Sequence, residues 1–291
     1  MRIFLRNRRS ETQRGLHKLR AKLRQYETLR FLIRTVPCVY RLQMSGIDLP
    51  NISSLGRLSK IIKFFPNGIS DKSFLEYLLY SKSEIDQELI AYLLLGSDGY
   101  FVEFGACDGL LGSNTFFLEK YQGWTGILAE PIPGFYAQIK NNRTAKAYPY
   151  AVYSSTGIQI EFSETIQPGL STLSGFEQAD RHGAQRAGAK KYNVETISLR
   201  DLLILAKAPR VIDFLSIDTE GSEFNILSRF PFEEYSFKFI TIEHNHSESQ
   251  AKIKELLNSN NYFEILPKYS GGDWWFVHRD FKGFSSNQKL K

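Results

Sequence analysis

From about residue 85 onward, short apolar runs alternate with amphipathic stretches of helical period. Short apolar runs bounded by glycine or proline are typical of strands, whereas apolar residues three and four positions apart predict helices. The predicted strands are 100–109 with its turn, 124–131, 145–154, 158–164, 211–221 and 237–245. The predicted helices are 83–96, 113–122, 133–142, a segment over 194–206 capped near Ser198, 222–230 and 247–261. This alternation predicts an α/β fold, with a parallel sheet covered by helices on both faces.

Two later segments do not follow this alternation of strands and helices. Residues 262–268 and 273–280 are strand-like and close together, and they predict a terminal antiparallel hairpin. Residues 168–191 are rich in Gly and Ser and predict a loop that can include a helical turn. Because this loop carries Arg181, His182 and Arg186, it has two interpretations: a mobile lid whose arginines suit a phosphate or carboxylate on an acceptor, or an idle surface loop.

The first 63 residues differ from the rest in charge, with 15 Lys and Arg against three acids, whereas the rest of the chain has 22 basic and 28 acidic residues. Apolar residues at positions 16, 19, 23, 26, 29 and 33 predict an amphipathic helix that ends before Pro37. We predict a basic, largely helical arm over 1–80 and a domain over 81–285. The arm's apolar stripe either packs on the domain or a second copy of the chain, or contacts an anionic membrane through residues 1–63. Nucleic acid is disfavoured, because the arm has few aromatic residues to stack on bases.

Composition and the first residues indicate where in the cell the protein is expected. The longest apolar run, around 89–96, is far shorter than the roughly 20 residues that span a bilayer. Cys38 and Cys107 cannot build a disulfide framework, and the charged first residues do not resemble a secretory signal. We therefore expect a cytoplasmic protein, either free or peripherally attached to a membrane.

The first predicted strand ends in a turn with two acids and two glycines, Glu103, Gly105, Asp108 and Gly109. Gly105 permits a tight turn beside a ligand, and Gly109 permits close approach of the next helix. The third glycine of a dinucleotide fingerprint is missing, and the acids would repel a pyrophosphate, which disfavours a nicotinamide enzyme. A ligand with a sulfonium, an ammonium and no phosphate fits these charges better, and S-adenosylmethionine (SAM) is such a ligand.

The second predicted strand ends at Glu130, where an acid can accept hydrogen bonds from both hydroxyls of a ribose. Together with the first turn, Glu130 predicts an adenosine pocket. The predicted cofactor-binding residues are Glu103, Gly105, Ala106, Asp108, Gly109, Asn114, Glu130, Pro131 and Asp218. For Asn114, a helix cap is the alternative role.

Four segments in this order resemble the FkbM-type SAM-dependent methyltransferases: VEFGACDGLLGSNTFFLE (102–119), ILAEP (127–131), DFLSIDTEGSE (213–223) and TIEHN (241–245). The resemblance covers roughly residues 85–280. It implies a Rossmann-like seven-stranded methyltransferase sheet, mostly parallel with a terminal antiparallel strand. It also implies O-methyl transfer to a hydroxyl of a saccharide, glycolipid or natural product. Ser216, where family members often have lysine, and Thr219, where an aliphatic residue is more usual, are departures that bear on the acceptor.

A sugar hydroxyl is a poor nucleophile at neutral pH, so a general base or a metal must assist. Asp218 and the sequence Glu243-His244-Asn245 follow two predicted strands, and we predict Asp218, Glu243 and His244 as catalytic residues. Two roles remain open for them: the three bind Mg²⁺, or His244 is the general base. A buried, purely structural imidazole is the third possibility for His244.

Glu220 and Glu223 lie at a helix start, where a structural role at the helix dipole is at least as plausible as a catalytic one. Two classes of function remain. The first is a SAM-dependent O-methyltransferase acting on a small-molecule or glycan acceptor. The second is a binding or scaffold protein that retains the fold without turnover. A homo-oligomer is compatible with either class.

Overall fold

A computed structural model describes residues 86–244 and 249–281, together with residues 61, 62, 64, 65, 73, 76, 77 and 81. The chain divides into two units, residues 1–81 and 82–291, and every element described below belongs to the second. The predicted basic arm lies almost wholly outside the described residues, so its helix and its membrane contact stay predictions. Within the part that is described, no helix is long and apolar enough to cross a bilayer.

Helices and strands follow one another along the second unit. The helices are α1 (Gln87–Leu95), α2 (Phe116–Tyr121), α3 (Pro133–Asn142), α4 (Leu199–Ala206), α5 (Glu223–Leu227) and α6 (Gln250–Ser259). The strands are β1 (Tyr100–Phe104), β2 (Thr125–Ala129), β3 (Lys146–Tyr148), β4 (Ala151–Tyr153), β5 (Gln159–Glu164), β6 (Thr172–Leu173), β7 (Lys190–Ser198), β8 (Val211–Ile217), β9 (Ser236–Glu243), β10 (Tyr262–Glu264) and β11 (Asp273–His278).

The main sheet has seven strands in the order β10-β11-β9-β8-β1-β2-β3. The pairs from β9 to β3 are parallel, and β11 runs antiparallel to both of its neighbours. The predictions of an α/β fold with a mostly parallel sheet and of a terminal antiparallel hairpin are therefore confirmed. Because the order reverses between β1 and β8, their carboxyl ends border the crevice in which such sheets bind ligands.

A second sheet, in the order β4-β7-β5-β6, is a feature that the sequence did not predict. The single strand predicted over 145–154 is two strands, because the chain leaves the main sheet after Tyr148 and β4 pairs with β7 instead. Residues 168–191 contain two short 3₁₀ turns, in line with the helical turn that the prediction allowed, but also β6 and the start of β7, which the sequence did not predict. The cap predicted near Ser198 is present, because the Ser198 hydroxyl accepts a hydrogen bond from the Asp201 N–H.

Candidate active site

One cavity of about 760 Å³ opens at the carboxyl ends of the parallel strands. Its lining includes residues at the ends of β1, β2 and β9 and in the turns after β1, β2 and β8, residues 167–171, Leu173, Arg181 and His182. Gly105, Asp108, Asn114, Glu130, Pro131, Asp218 and Glu243 are the predicted site residues that line it. Glu103, Ala106, Gly109 and His244 do not.

The turn after β1 requires a glycine at position 105. Gly105 has φ +79°, and a Cβ atom there would lie 1.6 Å from the backbone oxygen of Asp218. Two residues later, Cys107 also has a positive φ, 47°, and its N–H donates to Glu130 Oε2 at 2.9 Å. The turns after β1, β2 and β8 are therefore in direct contact, as expected for a pocket built at one edge of the sheet.

Glu103 faces away from the cavity, because side chains alternate along β1 and it is Phe104 that lines the cavity. Its carboxylate accepts hydrogen bonds from the Asn114 N–H (2.6 Å), the Ser113 hydroxyl (3.0 Å) and the Thr115 hydroxyl (2.5 Å). The Arg143 guanidinium lies 3.6 Å away. Glu103 thus organises the residues before α2, and the structure does not bring it to the predicted cofactor pocket.

The rest of the first turn is held by its own hydrogen bonds. Asp108 Oδ1 accepts from the N–H groups of Leu110 and Leu111, both at 2.8 Å. The side-chain amide of Asn114 donates to Ser216 Oγ at 3.0 Å, and α2 is preceded by Thr115 at its N-cap position rather than by Asn114. Asp108 and Asn114 therefore line the cavity with orientations set by neighbouring groups.

Glu130 is 3% exposed and lies where the predicted adenosine pocket requires an acid. Its Oε2 accepts from the Cys107 N–H, and its Oε1 accepts from the Ile132 N–H at 2.8 Å. Burial raises the pKa of Glu130 to about 8 despite these two bonds, and the charge of Glu164 adds to the rise. Burial likewise raises the pKa of the Cys107 thiol, with help from the Glu130 carboxylate, so this cysteine is a neutral lining residue.

We expect Glu130 to make stability depend on pH. The unfolded chain ionises this group near 4.5, whereas the folded chain holds the proton until about pH 8. Between these values the folded state binds more protons, so the free energy of unfolding falls as pH rises, by up to about 1.4 kcal/mol per pH unit. Urea unfolding at pH 5 and pH 8 should show the wild type losing stability relative to Glu130→Gln as pH rises. Equal pH dependence in both proteins would contradict the raised pKa.

Three carboxyl groups meet at the ends of β8 and β9, and we call Asp218, Glu220 and Glu243 the carboxylate cluster. One oxygen of each lies within 4.8 Å of the others. Burial raises the pKa of Glu220 to about 9, with the Asp218 charge adding to the effect and Arg186 opposing it. Burial and the charge of Asp218 also raise the pKa of Glu243 well above its usual value. At neutral pH the carboxylate cluster therefore retains protons.

His244 lies outside this cluster. Its ring packs against Trp274, with 4.6 Å between ring centroids, and its backbone N–H donates to the Gly272 carbonyl at 3.0 Å. The structure thus places His244 neither in the cavity lining nor among the three clustered carboxyls, and its metal and general-base roles stay predictions. Asn245 lies outside the described residues.

Glu220 is the cavity acid for which the sequence left a structural and a catalytic role open. Its φ is +59°, a left-handed conformation that is uncommon for a residue other than glycine and brings it beside Asp218. Glu223 does serve the backbone, since its Oε1 accepts from the N–H groups of Thr219 and Gly221 and from the Thr219 hydroxyl. Spacing offered a signal, because Glu220 follows Asp218 by two positions at the end of the same strand.

A family model described as the methyltransferase FkbM domain matches residues 103–265 of the chain. Among solved structures, the methyltransferase FkbM of Methylobacillus flagellatus KT has 14% identity and a TM-score of 0.41, over 85% of this chain and 60% of that chain. The precorrin-6y C5,15-methyltransferase of Geobacter metallireducens GS-15 has 10% identity and a TM-score of 0.35, over 65% of this chain and 85% of that chain. The M. jannaschii TYW2 in complex with AdoMet has 15% identity and a TM-score of 0.31, over 70% and 77%.

None of the curated proteins compared with this chain matches it. The family model, by contrast, spans more than half of the sequence and begins at Glu103, in the strand that leads into the Gly105 turn. It extends past β8 and β9 and so includes the whole carboxylate cluster. The chain therefore belongs to the FkbM family of SAM-dependent methyltransferases.

Proposed function

We propose that this methyltransferase moves a methyl group from SAM to a hydroxyl of a saccharide, glycolipid or natural product. One observation carries the proposal: Glu130 and the carboxylate cluster line the same cavity. A pocket for the cofactor's ribose and a group that can accept a proton thus open into one space. Its volume of about 760 Å³ is in the usual range for small-molecule sites.

The lining fits SAM in hydrogen bonding and in charge. Each oxygen of Glu130 accepts one backbone N–H. Because the pKa of this buried carboxyl is raised to about 8, the group is largely protonated at neutral pH, and it offers a ribose diol one O–H donor and one acceptor oxygen. Asp108 and the charge of Asp218 in the carboxylate cluster favour a ligand that carries an ammonium and a sulfonium. When bound, SAM supplies a methyl group that its sulfonium already activates.

The acceptor hydroxyl must lose its proton as the new bond forms, and Glu243 is the group that we assign to receive it. Burial and the neighbouring Asp218 charge raise the pKa of Glu243 well above its usual value. The ionised form of Glu243 is therefore a stronger base than an ordinary carboxylate. Asp218 and Glu220 thus tune Glu243, while all three line the cavity.

The same cluster offers a second route to an activated hydroxyl. Carboxylate oxygens are the ligands that Mg²⁺ prefers, and the oxygens of Asp218, Glu220 and Glu243 lie within 4.8 Å of one another. If Mg²⁺ binds, these three residues hold it, and the ion lowers the pKa of a coordinated hydroxyl. His244 is not part of this ligand set.

We expect Glu130→Ala to weaken binding of S-adenosylhomocysteine (SAH) by about 30-fold, which corresponds to about 2 kcal/mol. Two hydrogen bonds between the ribose hydroxyls and the buried Glu130 carboxyl are lost, at about 1 kcal/mol each. Isothermal titration of SAH into the purified protein measures the change. Glu195→Ala, at an exposed position on β7, is the control and should bind as the wild type does. Equal affinity in the Glu130 variant, or no binding to the wild type, would contradict the cofactor assignment.

Turnover separates an enzyme from a scaffold. The assay follows radiolabelled methyl transfer from SAM to a panel of hydroxylated saccharides, glycolipids and amino sugars, with EDTA or with added Mg²⁺. Methylation of hydroxyls that falls in Glu243→Gln supports the proposal, and loss of activity with EDTA selects the Mg²⁺ route. SAH binding without transfer to any member of the panel supports the scaffold instead.

A further inference from the structure

Arg186 is a buried arginine whose guanidinium uses all five of its N–H donors. The Nε–H donates to the Leu170 carbonyl at 2.8 Å. Nη1 donates to the Glu177 carbonyl at 3.2 Å and to Asp180 Oδ1 at 2.8 Å. Nη2 donates to Asp180 Oδ2 at 2.8 Å and to Glu220 Oε2 at 2.7 Å. Neither prediction for this region, a mobile lid or an idle surface loop, included a buried arginine that binds other residues of the protein.

These contacts join two parts of the cavity that are distant in sequence. Four of them go to residues 167–189, which we call the wall segment and which contributes residues 167–171, Leu173, Arg181 and His182 to the lining. The fifth goes to Glu220 of the carboxylate cluster. A guanidinium with every donor engaged has none left for an anionic acceptor, so Arg186 is not a substrate-binding arginine in this geometry.

We propose that Arg186 is a positioning residue, which holds Glu220 in the carboxylate cluster and fixes the wall segment against it. The inference rests on the proposed function, because the wall segment and the cluster together bound the space left for an acceptor. Glu130 and the Gly105 turn lie after other strands, and the five hydrogen bonds of Arg186 go to Leu170, Glu177, Asp180 and Glu220 instead. Loss of Arg186 therefore disturbs the acceptor side of the cavity and leaves the cofactor side intact.

The geometry requires a guanidinium and not just a positive charge. A lysine ammonium has three donors and no planar fork, so it cannot bind the Asp180 carboxylate through two parallel bonds and also reach Glu220 and two carbonyls. Arg186→Lys preserves the charge and loses this geometry. Arg186→Ala removes both, and the deleted atoms correspond to N-ethylguanidinium, which can be added to the solution.

The experiment compares wild type, Arg186→Lys, Arg186→Ala and the control Arg200→Ala, an arginine on α4 that pairs with Glu234 at the surface. Hydrogen exchange measured by mass spectrometry follows peptides from the wall segment and from residues 100–131. We expect at least tenfold faster exchange in the wall segment of both Arg186 variants, unchanged exchange in 100–131, and SAH affinity within twofold of wild type. N-ethylguanidinium should restore protection in Arg186→Ala, whereas n-propylammonium should not.

A second readout concerns Glu220. With any panel acceptor that the wild type methylates, both Arg186 variants should lose at least tenfold in kcat at an unchanged KM for SAM, and N-ethylguanidinium should restore kcat in Arg186→Ala. Wild-type exchange in the wall segment, or equal rescue by n-propylammonium, would overturn the proposal. If neither variant folds, Asp180→Asn carries the same exchange test from the other side of the bidentate contact. Failure of the wild type to bind SAH would instead overturn the proposed function, and the exchange result would stand separately.

Discussion

Gly105→Ala should destabilise the protein by more than about 3 kcal/mol and abolish SAH binding. The new Cβ atom would lie 1.6 Å from the Asp218 oxygen and 2.7 Å from the Asp218 carbonyl carbon. Both are backbone atoms, so relief requires β1 and β8 to shift apart at the edge that forms the cavity. The positive φ of Gly105 adds about 1 kcal/mol of strain for any other residue. Urea unfolding and SAH titration measure the two effects.

Gly112→Ala is the matched control for this change. Gly112 has nearly the same φ, +73°, in the same turn region, but a Cβ atom there would have nothing within 4 Å. We therefore expect a loss of about 1 kcal/mol from backbone strain alone, with SAH affinity close to wild type. If the two variants lose equal stability, the contact with Asp218 is not the reason for glycine at position 105.

Arg143→Met should cost about 3–5 kcal/mol of unfolding free energy, because it leaves buried carboxylates without their cation. Arg143 Nε donates to Glu119 Oε2 at 2.6 Å, and Nη1 lies 3.6 Å from Glu103 Oε2. The same guanidinium donates to the Gly109 carbonyl at 3.0 Å and to the Ser113 hydroxyl at 2.9 Å. One side chain thus supports both ends of the cofactor turn, and urea unfolding at pH 7 measures its contribution.

Arg200→Met provides the comparison for Arg143. Arg200 also pairs with a glutamate, Glu234, at 3.0 Å, but the Arg200 side chain is exposed and that of Glu234 is only half-buried. Exposed ion pairs contribute about 0–1 kcal/mol, so this variant should remain close to wild type. A similar loss of unfolding free energy in both variants would mean that burial does not determine how much these ion pairs stabilise the protein.

The local pattern of apolar and polar residues was sufficient to predict the main sheet. The β8 segment, Val211–Ile217, is an apolar run that must be buried on both faces, and the helices beside it have their own period and caps. The second sheet was not predictable in this way. β3 and β4 were predicted as one strand, because a strand pattern does not show which strand each residue pairs with. The start of β7 was missed because its first residues are polar.

The site divides along similar lines. Chain order and strand ends place Gly105, Asp108, Glu130 and Asp218 at one edge, because the carboxyl ends of parallel strands meet there. Because side chains alternate along β1, Glu103 and Phe104 face opposite ways, and the prediction that Glu103 binds the cofactor overlooked this alternation. The acidic residues in the sequence therefore predicted the correct edge of the sheet, but they did not show which acids line the cavity and which support the backbone.

By itself, the sequence determined the fold class, the family and the edge of the sheet at which chemistry is expected, since these follow from local periodicity and motif order. Tertiary structure alone decided which acids share the cavity. Glu220 joins Asp218 and Glu243 through a left-handed backbone conformation, and His244 packs on Trp274 instead. Arg143 pairs with carboxylates 24 and 40 residues away, and Arg186 joins the nearby Asp180 to Glu220, 34 residues away. Burial and ion pairing between such distant segments leave no local pattern in the chain.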